Sequence, residues 1–274
     1  MFKKMKNINK MVVLFFFVFI LIGCGEEEPI TLGIVSDIEG AIENAQRAAA
    51  QLRDADLVII AGDVYENEQL RVQSLYPESK DNKKEMIEGI TPFAELGIPI
   101  YVIPGNHEEQ EVYFSGIAAL QERYPLVFDL YDADLEGVNL VALRGYHDEQ
   151  FITKEGFTLE EKEYQETQEK ITFFQKQNEP LIFVTHGPPL SETDQDWVEG
   201  VGHVGDAKIT KMLEETKNKN MLHVHGHLHE HSGKESIFPV GTSLNIASIT
   251  SYNNKDAPSV TKMIIKKGEI QIQK

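Results

Sequence analysis

The sequence predicts an α/β domain built around parallel strands. Three observations predict it. Short, unbroken apolar runs recur along the chain, and stretches with apolar residues at helical spacing separate the first of them. A metal-ligand type of residue stands directly after each of five such runs. Strands buried on both faces read as continuous apolar segments, and their alternation with helices implies βαβ units.

Residues 1–23 are set apart from the fold. Lys3, Lys4, Lys6 and Lys10 precede an apolar run over residues 11–22, the order of an export signal. The run falls short of the roughly 20 apolar residues that a membrane-spanning helix needs. Leu21-Ile22-Gly23-Cys24 resembles the lipobox of bacterial lipoproteins. That resemblance implies cleavage before Cys24, a diacylglyceryl group on its sulfur, and a chain anchored on the extracytoplasmic face of the cell membrane. Cys24 is the only cysteine, so no intrachain disulfide can form. Residues 24–29 read as a short acidic tether, and residues 30–274 as one domain without internal repeats. Loss of the four signal lysines takes the formal charge from −18 to −22. Nucleic acid is a poor partner for such a surface, because its binding rests on neutralising phosphates. Anionic headgroups would also repel it, which leaves the lipid to hold the chain to the membrane.

Residues 30–35 read as the first strand. Ile42, Ala45, Ala49 and Leu52 follow at helical spacing, and residues 57–61 form the second strand. The polar stretch 65–84 is expected to leave the core. Met86, Ile90 and Ala94 suggest a helix weakened by Gly89 and Pro92. Residues 100–103 form the third strand, with a helix expected around residues 117–120. Strands are expected at 127–128 and 138–143, and an exposed helix within 159–177, its thin apolar face at Tyr164, Ile171 and Phe174. Residues 181–184 form another buried strand, and Asp206 is placed to cap a helix through Leu213. The tract 221–231 holds five of the nine histidines. Strands at 237–240 and 244–249, and a hairpin around Lys266-Lys267-Gly268-Glu269, complete the chain.

Asp37, Asp63, Asn106, His186 and His227 each follow a predicted strand, and ligands gather at the carboxyl ends of parallel strands. Gly62, Gly105 and Gly226 stand where the backbone must turn beside such a site. His229 lies two residues beyond His227, and paired imidazoles past a strand end suit a metal.

Asp37-x-x-Gly40, Gly62-Asp63, Gly105-Asn106-His107-Glu108, Thr185-His186-Gly187-Pro188-Pro189 and Gly226-His227-x-His229, in this order, resemble the calcineurin-like metallophosphoesterase superfamily. The stretch from His186 through Asp196-Trp197 and His203-Val204-Gly205 to Glu230 is most similar to its small cyclic-nucleotide-phosphodiesterase-like branch. The resemblance implies a four-layer α/β/β/α sandwich with two mixed sheets. It also implies two divalent ions (Mn, Fe or Zn) at the strand C-terminal edge. By position, Asp37, Asp63 and His229 would hold the first ion, and Asp63, Asn106, His186 and His227 the second. His107 would face a small phosphorylated substrate as the catalytic residue. Water activated between the ions would attack phosphorus, with diesters the favoured substrates.

One position departs from the pattern. Relatives usually carry histidine where this chain has Glu39. We read Glu39 as a further ligand of the first ion; the alternative is a solvent-facing acid at a helix start. Trp197 and His203 are candidates for the substrate mouth. Arg144 is expected in a surface ion pair, and His223 and His225 are expected to pack behind the site. A competing reading is a lipoprotein that captures metal without hydrolysis, but a scavenger has no use for a substrate-facing His107. A nuclease is disfavoured by the acidic charge.

Overall fold

The computed structural model describes residues 28–66, 81–135, 137–177, 179–191, 194–217, 220–238, 241–246, 249, 258 and 260–273. The signal segment and Cys24 lie outside the described residues. The chain opens with β1 (Ile30–Val35), α1 (Ile42–Gln51), β2 (Leu57–Ala61), α2 (Asn82–Ala94), β3 (Ile100–Ile103) and α3 (Gln110–Arg123). It continues with β4 (Val127–Asp129), β5 (Asp132–Leu135), β6 (Val138–Leu143), α4 (Glu161–Phe174) and β7 (Leu181–Thr185). A ribbon of β8 (Trp197–Val198) and β9 (Gly202–His203) precedes α5 (Ala207–Glu215) and β10 (Met221–His225). The last elements are β11 (Glu235–Phe238), β12 (Gly241–Asn245), β13 (Thr261–Lys266) and β14 (Glu269–Gln273).

The strands form two six-stranded sheets, in the orders β14-β13-β1-β2-β3-β4 and β11-β12-β10-β7-β6-β5. In the first sheet, β1 through β4 pair in parallel, and β13 adds antiparallel to β1. In the second, β6, β7, β10 and β12 pair in parallel, with β5 and β11 antiparallel at the edges. Alternation along each strand sorts its side chains between two cores. Leu57 and Ile59 of β2 meet Ile182 and Val184 of β7 between the sheets. Val58 and Ile60 face α1–α3 on one outer side, and Leu181 and Phe183 face α4 and α5 on the other. The result is the four-layer sandwich. Each fully buried Val, Ile or Leu contributes roughly 1.5–3 kcal/mol of burial free energy.

The strands buried on both faces lie close to their expected positions, and Asp206 caps α5 by accepting from the Lys208 amide at 2.7 Å. Lys267 and Gly268, at φ +52° and +75°, close the last hairpin as a two-residue turn. α2 forms as expected and runs through Pro92, because Met86, Ile90 and Phe93 are fully buried and Gly89 lets it approach Val64. Other expectations need correction. Tyr65 belongs to the core: it is fully buried, and its hydroxyl accepts from the Glu109 amide at 2.6 Å. α3 begins at Gln110, well before residue 117. β5 has no apolar run and was not expected. β12 covers residues 241–245 rather than 244–249, and β11 starts at Glu235. Among the described residues, no helix is long and apolar enough to cross a membrane.

Candidate metal centre

The C-terminal ends of β1, β2 and β3 from one sheet meet those of β7 and β10 from the other. The loops there are strained and braced. Asp37, Glu39, Asp63 and His227 have φ of +51°, +43°, +51° and +72°. Such left-handed backbone costs a non-glycine residue on the order of 1–3 kcal/mol. The loop after β1 is laced onto the loop after β2 by Asp37 N–Gly62 O (3.1 Å), Glu39 N–Asp63 O (2.9 Å) and Gly40 N–Val64 O (3.1 Å). Glu108, fully buried, accepts from the amides of Asp63 (3.1 Å), Val64 (2.7 Å) and Gly105 (2.7 Å). It therefore ties the loops after β2 and β3 together. A side chain at Gly226 would stand 2.5 Å from Asp37 Oδ2, and one at Gly62 would stand 2.6 Å from His186 Nδ1.

Within this frame, lone pairs converge. His186 Nδ1 donates to the Ala61 carbonyl at 2.9 Å, which turns Nε2 inward. Nε2 then lies 2.8 Å from Asn106 Oδ1 and 3.1 Å from Asp63 Oδ2. Asn106 donates its Nδ2 to Phe151 O at 2.8 Å, so its oxygen is the atom presented to the site. His227 Nδ1 comes within 2.9 Å of the same oxygen. Beside this group, His229 Nε2 lies 3.3 Å from both Asp37 Oδ1 and Glu39 Oε1. The ligand atoms of Asp63, His186 and His227 lie within 4.8 Å of one another, as do those of Asp37, Glu39 and His229. Glu39 and Asp63 form a third such group with His107. Carboxylate oxygens, an amide oxygen and imidazole nitrogens turned on one point fit a divalent cation better than they fit each other.

Electrostatics agree. Burial opposes charge on His186, yet the Asp63 carboxylate beside it pushes it up to about 10. Burial likewise works against His229, and Asp37 and Glu39 raise it to about 9. Burial alone would raise Asp63 and Asp37; the imidazoles of His107 and His186, and that of His229, hold them below the ordinary carboxylate range. Burial, together with Asp37 and Asp63, lifts Glu39 to about 8 against the pull of His229. His227 goes the other way: burial, with the His186 imidazole beside it, lowers it to about 3 and keeps its ring neutral.

The expected residues are thus brought together, Glu39 included; its side chain is only 12% exposed, so it does not face solvent. His107 donates its backbone amide to Asp63 Oδ1 at 3.0 Å, and its Nε2 stands 3.6 Å from Oδ2 at the rim. His223 is buried behind the site, between Thr185 Oγ1 (2.9 Å) and Ser243 Oγ (2.7 Å), and stacks with His225. Arg144 corrects an expectation. It makes a partly buried ion pair with Asp129 (2.8 Å), with the Tyr131 ring 3.9 Å from the guanidinium carbon. Trp197 and His203 stand on the β8–β9 ribbon, outside the ligand groups. Glu108, Tyr146 and Asn245 were not singled out in advance. Tyr146 lies 4.5 Å from the His227 ring, and Asn245 holds the Leu228 carbonyl at 2.9 Å. Only Glu108 carried a signal, as the last residue of Gly105-Asn106-His107-Glu108.

Comparison with known proteins follows the same lines. The family model for calcineurin-like phosphoesterases matches residues 30–231. No functionally curated protein matches the chain. Among solved structures, a dimetal phosphatase from Danio rerio superposes with a TM-score of 0.62 at 12% identity, covering 89% of this chain and 99% of that one. The protein TT1561 of Thermus thermophilus superposes with a TM-score of 0.59 at 10% identity, covering 90% and 99%. At these identities the superpositions establish the fold. The family model and the converging ligand groups go further: the chain belongs to the calcineurin-like phosphoesterase family and is a metal-dependent phosphoester hydrolase.

Proposed function

We propose that the chain is a lipid-anchored, extracytoplasmic phosphoesterase that prefers phosphodiesters and works with two divalent ions. Asp37, Glu39, Asp63 and His229 would hold one ion, and Asp63, Asn106, His186 and His227 the other. The observation that carries this is the position of Asp63. Its carboxylate groups with His186 and His227 on one side and with Glu39 and His107 on the other, and Glu39 also belongs to the group of Asp37 and His229. Two ions so held would supply charge stabilisation and an activated water for an in-line displacement at phosphorus.

The chain's own residues do the rest. Glu108 fixes the backbone of Asp63 and Gly105, so the shared carboxylate and the Asn106 amide keep their places. Tyr146 packs against His227 and fixes its ring. His107, anchored through its amide to Asp63, presents its imidazole at the rim, where it can hydrogen-bond the phosphoryl group or pass a proton to the leaving oxygen. The diester preference rests on the likeness of residues 186–230 to the cyclic-nucleotide-phosphodiesterase-like branch. Charge supports it too, since a surface of formal charge −18 repels a monoester dianion more than a diester monoanion.

The test is a turnover screen of the purified chain with Mn²⁺, Fe²⁺ or Zn²⁺ added. Bis-p-nitrophenyl phosphate should be cleaved faster than p-nitrophenyl phosphate. Turnover of the monoester alone would remove the diester preference, and silence on both would remove the proposal.

A further inference from the structure

The β8–β9 ribbon is short, yet residues adjoining the metal ligands hold both of its roots. Val204, next to His203, accepts from the Tyr146 hydroxyl at 2.8 Å, and the Tyr146 ring lies against His227. Gln195, two residues before Trp197, accepts from His231 Nδ1 at 2.6 Å, two residues beyond His229. On the ribbon, Trp197 and His203 are cross-strand partners. Their rings meet edge to face, 5.0 Å between centroids.

A fully buried carboxylate orients this pair. Asp196 Oδ1 accepts from His203 Nδ1 at 2.8 Å, and Oδ2 accepts from the Gly205 amide at 3.2 Å. Burying a carboxylate costs free energy, and here its partners fix the plane and tautomer of an imidazole that is itself 41% exposed. With Nδ1 engaged, Nε2 is the outer edge of the ring. Neither it nor the indole Nε1–H has a hydrogen-bond partner among the described residues. Trp197 is 46% exposed. An indole face and an oriented imidazole edge, both open, thus stand on a ribbon rooted beside the metal ligands.

We infer that this ribbon is the recognition lip for the substrate's leaving group, and that Trp197 and His203 bind a planar aromatic group, a nucleoside or an aryl alcohol, esterified to the phosphate. The inference rests on the phosphoesterase reading above. The indole supplies a stacking face, and His203 Nε2 meets a polar edge of the group. Stacking of this kind is worth roughly 10–100-fold in affinity.

Trp197 is the chain's only tryptophan, so intrinsic fluorescence reports on the lip alone. The metal-loaded chain is titrated with three phosphonates whose C–P bond cannot be hydrolysed: phenylphosphonate, the 5′-phosphonate analogue of adenosine monophosphate, and methylphosphonate. Inhibition constants against bis-p-nitrophenyl phosphate are measured on the same preparation. The expected result is a saturable fluorescence change with an aromatic phosphonate and none with methylphosphonate. Trp197→Ala and His203→Ala should weaken inhibition by that aromatic compound about tenfold or more and leave methylphosphonate inhibition unchanged. The aromatic compound that responds identifies the leaving group as nucleoside or aryl. Inhibition without a fluorescence change, or an equal response to methylphosphonate, would overturn the lip. Absence of turnover on every ester would instead overturn the phosphoesterase reading.

Discussion

His107 and Glu39 stand close together yet should behave oppositely on substitution. His107 stands at the rim 3.6 Å from Asp63 and comes near both Glu39 and Asp63, but the Asp63–His186–His227 and Asp37–Glu39–His229 groups are complete without it. His107→Ala should therefore keep its metal while losing about 10²-fold or more in rate. Loss of metal on elemental analysis would show that His107 is a ligand. Glu39 places a third carboxylate beside Asp37 and Asp63 and leaves His229 as the one imidazole of its group. Such an oxygen-rich set favours harder ions such as Mn²⁺. Glu39→His should shift the bound metal toward Zn²⁺ or Fe, read by elemental analysis of proteins purified identically. An unchanged metal content would remove Glu39 from the ligand set. The sequence alone left Glu39 with two readings, because a ligand and a helix-start acid look alike in a string. The structure turns the Glu39 carboxylate toward His229 Nε2, 3.3 Å away, and the metal content of Glu39→His decides between the two.

At the scale of elements, legibility followed burial. β2 and β7 are buried along their whole length, so they read as apolar runs and the residues after them stood out. β5, with the sequence Asp-Ala-Asp-Leu, is an edge strand of alternating exposure, and nothing in it marks a strand. β12 was misplaced because two of its three buried residues are polar: Ser243 bonds His223, and Asn245 braces the loop that carries His229. Its position follows from parallel pairing with β10, a non-local fact. Arg144 was misjudged for a similar reason. Asp129 ends β4 in one sheet and Arg144 follows β6 in the other, so their pair joins the two sheets, at 17% and 10% side-chain exposure. Arg144→Met would remove the ion-pair partner of the partly buried Asp129 and leave it the Tyr113 hydroxyl at 2.7 Å, which should cost about 1–3 kcal/mol in denaturant unfolding. A loss under about 1 kcal/mol would mean that the cross-sheet pair is not a structural tie.

For the molecule as a whole, the strand-end pattern pointed to a single rim of ligands, but it was silent on how many sheets supply that rim. Two sheets do, and the resemblance to a family implied them where local periodicity did not. The acidic body would repel anionic headgroups, so the proposed anchor depends on the lipid expected at Cys24. Cys24→Ser should release the chain from the membrane fraction and block normal processing; unchanged retention with normal processing would contradict the anchor. The central claim is that one carboxylate, Asp63, joins two cation sites into one hydrolytic centre. The most direct measurement titrates the chelator-stripped chain with Mn²⁺ while following bound metal and cleavage of bis-p-nitrophenyl phosphate together, for the wild type and for Asp63→Asn. The account predicts that wild-type activity reaches its plateau only as a second equivalent binds, and that Asp63→Asn binds less metal and cleaves nothing. A plateau at one equivalent, or undiminished cleavage by Asp63→Asn, would contradict it.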